Sequence, residues 1–147
     1  MARPFFLKIM KKFAFVFPGQ GSQSVGMLDG WGDHPVVAQT LVEASDALGE
    51  NIGQLIQQGP KEALALTTNT QPVMLVAGVA AWRVWQAEGG ALPDVVAGHS
   101  PGEYSALVAS GLLTLAAAAP QVRLRAAAVR EAVPVGTGAL AVHLGTV

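Results

Sequence analysis

The 147-residue sequence contains no cysteine. That absence excludes a disulfide framework, a Cys-ligated zinc site, an iron–sulfur cluster and a cysteine nucleophile. It is compatible with a reducing compartment, and a cytoplasmic location is the expectation. Charge is also sparse. Charged residues make up 13% of the chain, with nine Lys+Arg against ten Asp+Glu and a net charge of -1. Such a chain projects no field that recruits nucleic acid or an anionic membrane surface, so neither is expected as a partner. Long apolar runs are missing as well. Arg3, Lys8, Lys11 and Lys12 make a basic start, but the apolar run 13–17 stops at Pro18, too short for a signal peptide. Segment 73–82 is apolar but ends at Arg83, and 104–122 is interrupted by Ser105, Ser110, Gly111, Thr114, Pro120 and Gln121. A spanning helix takes about 20 predominantly apolar residues, so both segments read as buried helices. What the chain does have is apolar residues in short stretches, 51% in all, enough for a packed core and too many for a disordered tail. The length fits one domain, or a large subdomain with a fragment of another.

The order of these stretches predicts an α/β fold. Residues 13–17 form a short apolar run closed by Pro18-Gly19, the mark of a buried strand. A loop with Gly19, Gly21 and Gly26 follows. Val36, Val37, Leu41, Ala44 and Leu48 recur at helical spacing over 35–48, with Asp33 as expected N-cap and Gly49 as the stop. Gly59-Pro60 punctuates the next short helix. Pro72 is expected to open a long helix to about Ala87, halted by Gly89-Gly90. Residues 94–97 are a second strand, 103–109 a helix, and 115–132 a last helix capped by Thr114. Pro134, Gly136 and Gly138 then form a loop before a strand over 139–144. Alternating strands and helices predict a parallel sheet with helices on both faces.

Gly98-His99-Ser100-Pro101-Gly102 matches G-x-S-x-G and lies between a predicted strand and a predicted helix. A sharp turn there exposes the serine in a strained conformation, and the glycines leave room for the turn. The following helix N-terminus favours developing negative charge. Ser100 is therefore the candidate nucleophile. The first loop, Pro18-Gly19-Gln20-Gly21-Ser22-Gln23, resembles the start of a dinucleotide fingerprint, but Ser24 stands where the third glycine belongs. Its better use is as a close-approach loop whose main-chain N–H groups face an oxyanion beside Ser100.

Taken together, these segments resemble the malonyl-CoA:acyl carrier protein transacylases. The opening signature is Phe13-Ala14-Phe15-Val16-Phe17-Pro18-Gly19-Gln20-Gly21-Ser22-Gln23. The serine segment is Gly98-His99-Ser100-Pro101-Gly102-Glu103-Tyr104-Ser105-Ala106-Leu107. Thr70-Gln71-Pro72, Glu131-Ala132-Val133-Pro134 and Gly136-Thr137-Gly138-Ala139 fit as well, so the likeness runs over about residues 11–144. It implies that Ser100 accepts the acyl group and that Gln20 supplies an oxyanion-hole N–H. It implies that Arg125 binds the malonyl carboxylate as a bidentate pair, and it lets Gln71 line the site or merely start a helix. Arg123 and Arg130 are expected to be solvated. The substrates implied are malonyl-CoA and the pantetheine thiol of acyl carrier protein, in fatty-acid biosynthesis, with no metal or redox cofactor. The domain plan implied is an N-terminal extension over 1–10, an incomplete large α/β acyltransferase subdomain over 11–136, and the first strand of a truncated ferredoxin-like subdomain over 137–147.

The chain departs from that pattern in three places. The residue after the serine is a second oxyanion donor in the family, and here it is Pro101, which has no N–H. Losing one such donor costs about 10²–10³ in rate. Pro120 falls inside the last predicted helix, where proline costs ~3 kcal/mol, so the helix either kinks or begins near Pro120. The family's catalytic histidine is implied beyond position 147, and none of His34, His99 and His143 makes a convincing base. Two further readings stay open: a serine esterase on an α/β-hydrolase scaffold, and a truncated non-catalytic remnant.

Overall fold

The computed structural model describes residues 12–133. The expected strand over 139–144 with His143, the extension over 1–10 and the small-subdomain strand over 137–147 lie outside the described residues. The elements run β1 (Ala14–Phe17), a 3-10 turn (Asp29–Trp31), α1 (Pro35–Leu48), α2 (Ile52–Gln58), α3 (Lys61–Ala65), α4 (Thr67–Ala87), β2 (Val95–Gly98), α5 (Pro101–Ala109) and α6 (Leu115–Ala132). None of the described helices is long and apolar enough to cross a membrane.

The two strands pair in parallel, in the register Ala14↔Val95 to Phe17↔Gly98. The ladder continues past β2, where the His99 N–H donates to the Phe17 carbonyl at 3.1 Å. At the other end Asp94 pins the sheet: its N–H donates to the Phe13 carbonyl and its carboxylate accepts from the Phe13 N–H, both at 3.0 Å. On one face Phe15, Phe17 and Val96 pack against Trp82 and Ala106. The other face carries Ala14, Val16, Val95 and Ala97, with Val16 67% and Val95 58% exposed. Helices on both faces were expected; among the described residues one face is covered. Strands that are apolar at every position do not reveal which face has a partner.

The main core is helical. Helix α4 runs through its centre, buried at nearly every position from Thr70 to Val84, and packs against α1, α5 and α6. A helix apolar on all sides is an interior helix. The Gly78 position lets α5 approach closely, since a Cβ there would lie 2.9 Å from Ser105 Oγ and 3.2 Å from Phe17 Cδ1.

Three helix starts differ from expectation, the smallest difference being α5, which begins at Pro101 and not at Glu103. Helix α1 is capped by His34, whose Nδ1 accepts from the Val36 N–H at 3.2 Å, and Asp33 is not the cap. An accepting Nδ1 leaves the ring proton on Nε2, which donates to Glu88 at 3.1 Å. Helix α4 begins at Thr67, so Pro72 lies inside it and does not open it. Thr67, Thr68 and Asn69 hide that start in the sequence, because they suit a loop as well as a first turn. Helix α6 matches its predicted bounds, capped by the Thr114 hydroxyl accepting from the Ala117 N–H, and Pro120 does not start a new helix. Pro120 is exposed, so water can satisfy the carbonyl that its ring leaves without a donor.

Candidate active site

Ser100 joins β2 to α5 with φ 55° and ψ −116°, and no other described non-glycine residue has positive φ. Such a conformation costs about 1–3 kcal/mol and persists only where the surroundings enforce it. Two glycines make room for the tight packing around it. A Cβ on Gly98 would lie 2.0 Å from the Gly102 carbonyl oxygen, and one on Gly102 would lie 2.4 Å from that of Phe17. The motif glycines are thus required by the approach of α5 to the strand ends. Gly19 is required too, since its Cβ would meet His99 Nδ1 and the His99 carbonyl oxygen, both at 2.8 Å. The first glycine loop therefore rests directly on the serine turn.

Pro101 is buried and opens α5, a position proline suits because its fixed φ fits the first helical turn. The neighbouring donors are engaged. The Gly102 N–H donates to the His99 carbonyl at 2.9 Å, and the Glu103 N–H donates to the Ser100 carbonyl at 3.1 Å. The first turn of α5 therefore has no N–H to stand in for the one Pro101 lacks. In the other loop, no described residue accepts from the Gln20 main-chain N–H, while its side-chain amide reaches Thr67 Oγ1 at 3.4 Å.

Arg125 comes in from α6. Its Nη2 donates to Ser100 Oγ at 3.1 Å, and its Nη1 donates to Gln71 Oε1. Gln71 is 2% exposed on the second turn of α4, where it accepts from Arg125; the helix itself starts at Thr67. Ser100, Arg125 and Gln71 are thus brought together from three elements, and Gln20 stands on the adjoining loop. Among the described residues, no histidine, lysine or carboxylate hydrogen-bonds Ser100. The His99 side chain is exposed, and His34 is committed to its cap. No cluster of three metal-ligating side chains occurs among the described residues.

The residue that sequence reasoning missed is Arg123. Expected in solvent, it is partly buried between α6 and the start of α4. Its Nη1 donates to the Thr68 carbonyl and to Asn69 Oδ1, and its guanidinium also pairs with Glu50. Burial pushes its pKa below the ordinary arginine value. The only signal in the sequence was Pro72, which removes the donor that the Thr68 carbonyl would otherwise use.

Residues 14–147 match the family model described as the acyl transferase domain, and the chain belongs to that family. Within it, the chain is similar to malonyl CoA-acyl carrier protein transacylases. That of Salmonella typhimurium is 53% identical over 137 residues, covering 92% of this chain and 44% of the relative. That of Bacillus subtilis is 44% identical over the same 92% of this chain and 43% of the relative. Among solved structures, the acyl-carrier-protein S-malonyltransferase from Burkholderia pseudomallei superimposes with a TM-score of 0.83 at 63% identity, over 86% of this chain and 41% of that one. A malonyl-transacylase in complex with a type II PKS acyl-carrier protein gives 0.80 at 54% identity, over 84% and 40%. The chain therefore spans less than half the length of the relatives it matches. The family, with an arginine against the serine, leaves the esterase reading without support.

Proposed function

We propose that this chain carries the acyl-accepting half of a malonyl-CoA:acyl carrier protein transacylase, acting in fatty-acid biosynthesis. Residues 11–136 are read as part of the large α/β subdomain, and the Ser100 turn as a nucleophile elbow. The observation that carries the reading is Arg125, held by Gln71 and hydrogen-bonded to Ser100 Oγ. A guanidinium beside the attacking oxygen can grip a carboxylate on the acyl group, which a neutral acetyl group cannot use.

The steps follow from thioester exchange. Ser100 Oγ adds to the malonyl thioester carbonyl, and the Gln20 N–H steadies the oxyanion. The C–S bond breaks, the serine proton goes by way of a general base to the leaving sulfur, and coenzyme A departs. The pantetheine thiol of acyl carrier protein then attacks the seryl ester, breaks its C–O bond and returns a proton to Oγ. No oxidation state changes, and in this reading no metal or cofactor takes part. A cytoplasmic setting belongs to the same reading, and the cysteine-free sequence is compatible with it.

The test is covalent labelling with isotopic malonyl-CoA followed by peptide mapping. The expected result is a malonyl adduct on Ser100 that is absent from S100A. R125A should lose most of the malonyl adduct while any acetyl adduct changes little. Absence of any Ser100-dependent adduct would sink transfer by this chain. One observation favours a second reading, a chain that binds the thioester without turning it over: the α5 start offers no N–H after Ser100. Saturable malonyl-CoA binding with no adduct would establish it.

A further inference from the structure

Two arginines on α6 reach the start of α4, and only one of them touches the serine. Arg123 and Arg125 are two positions apart, so their side chains leave the helix about 200° apart. They straddle the beginning of α4. Arg123 takes the Thr68 carbonyl and Asn69, and Arg125 takes Gln71. The acceptor that Arg123 uses exists because of a proline. Pro72 has no N–H, so the Thr68 carbonyl four residues earlier has no partner within the helix. Arg123 Nη1 supplies the donor that the helix cannot.

We propose that Pro72 and Arg123 form a clamp that sets the register of α6 on α4, making Arg123 the positioning residue for Arg125. The proposal rests on the acyl-transfer reading for its functional consequence. The first two turns of α4 are the shared frame of the site. Thr67 meets the Gln20 amide, Gln71 holds Arg125, and Arg123 fixes the turn between them. Glu50 pairs with the partly buried Arg123 and ties it to the segment between α1 and α2. Asn69 in turn donates to the Ala63 carbonyl at 2.9 Å, which carries the clamp into α3. A rotation or slide of α6 would move the Arg125 fork relative to Ser100 without altering either residue. Misplacement on the order of 1 Å in a positioning group costs on the order of 10²-fold in rate, so a modest loosening has a readable effect.

R123K tests this directly. It keeps the positive charge beside Glu50, but an ammonium lacks the planar fork that points one nitrogen at the Thr68 carbonyl and Asn69 and the other toward Glu50. P72A is the second variant. It gives the Thr68 carbonyl a helical N–H donor and improves helix propensity, so it does not threaten folding. Two measurements are made on the whole chain. The first is the ratio of malonyl to acetyl labelling at Ser100, which a simple loss of folded protein leaves unchanged. The ratio should fall about tenfold in R123K and in the same direction in P72A. The second is the Arg125 Nε–H resonance in nitrogen–proton correlation spectra, which needs no substrate. It should shift and broaden in both variants as the fork loses its fixed orientation. An unchanged resonance in R123K overturns the clamp. An unchanged labelling ratio, in a chain that does prefer malonyl, overturns its role in specificity. If the unaltered chain shows no malonyl preference, the acyl-transfer reading fails and the specificity role falls with it. The resonance alone then decides whether the clamp exists.

Discussion

Pro101 is the residue where local structure and proposed chemistry conflict most openly. As the first residue of α5 it is well suited, being buried with its φ already helical. As the neighbour of Ser100 it supplies no donor, and the next two N–H groups are committed to turn carbonyls. P101Q should therefore speed Ser100 malonylation by about 10²–10³ if its N–H reaches the oxyanion. Single-turnover labelling of the variant against the unaltered chain measures this, and an equal or slower rate would remove the oxyanion argument. The motif itself was legible at this scale: a serine flanked by glycines between a strand and a helix. Arg125 was legible only through family resemblance, since nothing in its local sequence separates it from Arg123 or Arg130. Arg123 was misread, because a residue's solvent exposure depends on the partner helix.

At the scale of elements, β1 shows why an apolar run is ambiguous. Phe17 is 2% exposed and Val16 67%, although neighbours in the run look alike in composition. The pleat turns successive side chains to opposite faces, and only one face meets helices among the described residues. F17A should destabilise the chain by about 3–5 kcal/mol. V16T should change stability by less than about 0.5 kcal/mol. Urea unfolding of both variants checks the contrast, and a large loss in V16T would mean that the second face is covered in solution. Helix ends were legible where a side chain caps them, as Thr114 does for α6, or where glycine turns left-handed, as Gly49 does after α1. The start of α4 was not legible, because a proline read as a helix opener sits a full turn inside.

At the scale of the whole molecule, α4 supplies residues to both apolar clusters. Val73, Leu75, Val76 and Val79 belong to the large helical core, and Trp82 belongs to the small cluster with Phe17 and Ala106. Trp82 also meets Phe15 edge-on, with ring centroids 5.2 Å apart. One continuous helix through two clusters couples them. Unfolding followed by tryptophan fluorescence and by far-ultraviolet circular dichroism should give coincident midpoints. Separate midpoints would show that the sheet end opens by itself.

Sequence alone determined the α/β order of elements, most helix ends and the serine turn. These depend on contacts within a few residues: apolar periodicity, caps, and glycines where the chain bends sharply. Tertiary structure decided which sheet face is covered, why Gly98 and Gly102 admit no side chain, and which of three arginines on one helix serves the site. Those outcomes depend on where α4, α5 and α6 cross one another. Arg123 and Arg125 acquire different roles only because α6 lies across a turn of α4 that Pro72 has left without a donor.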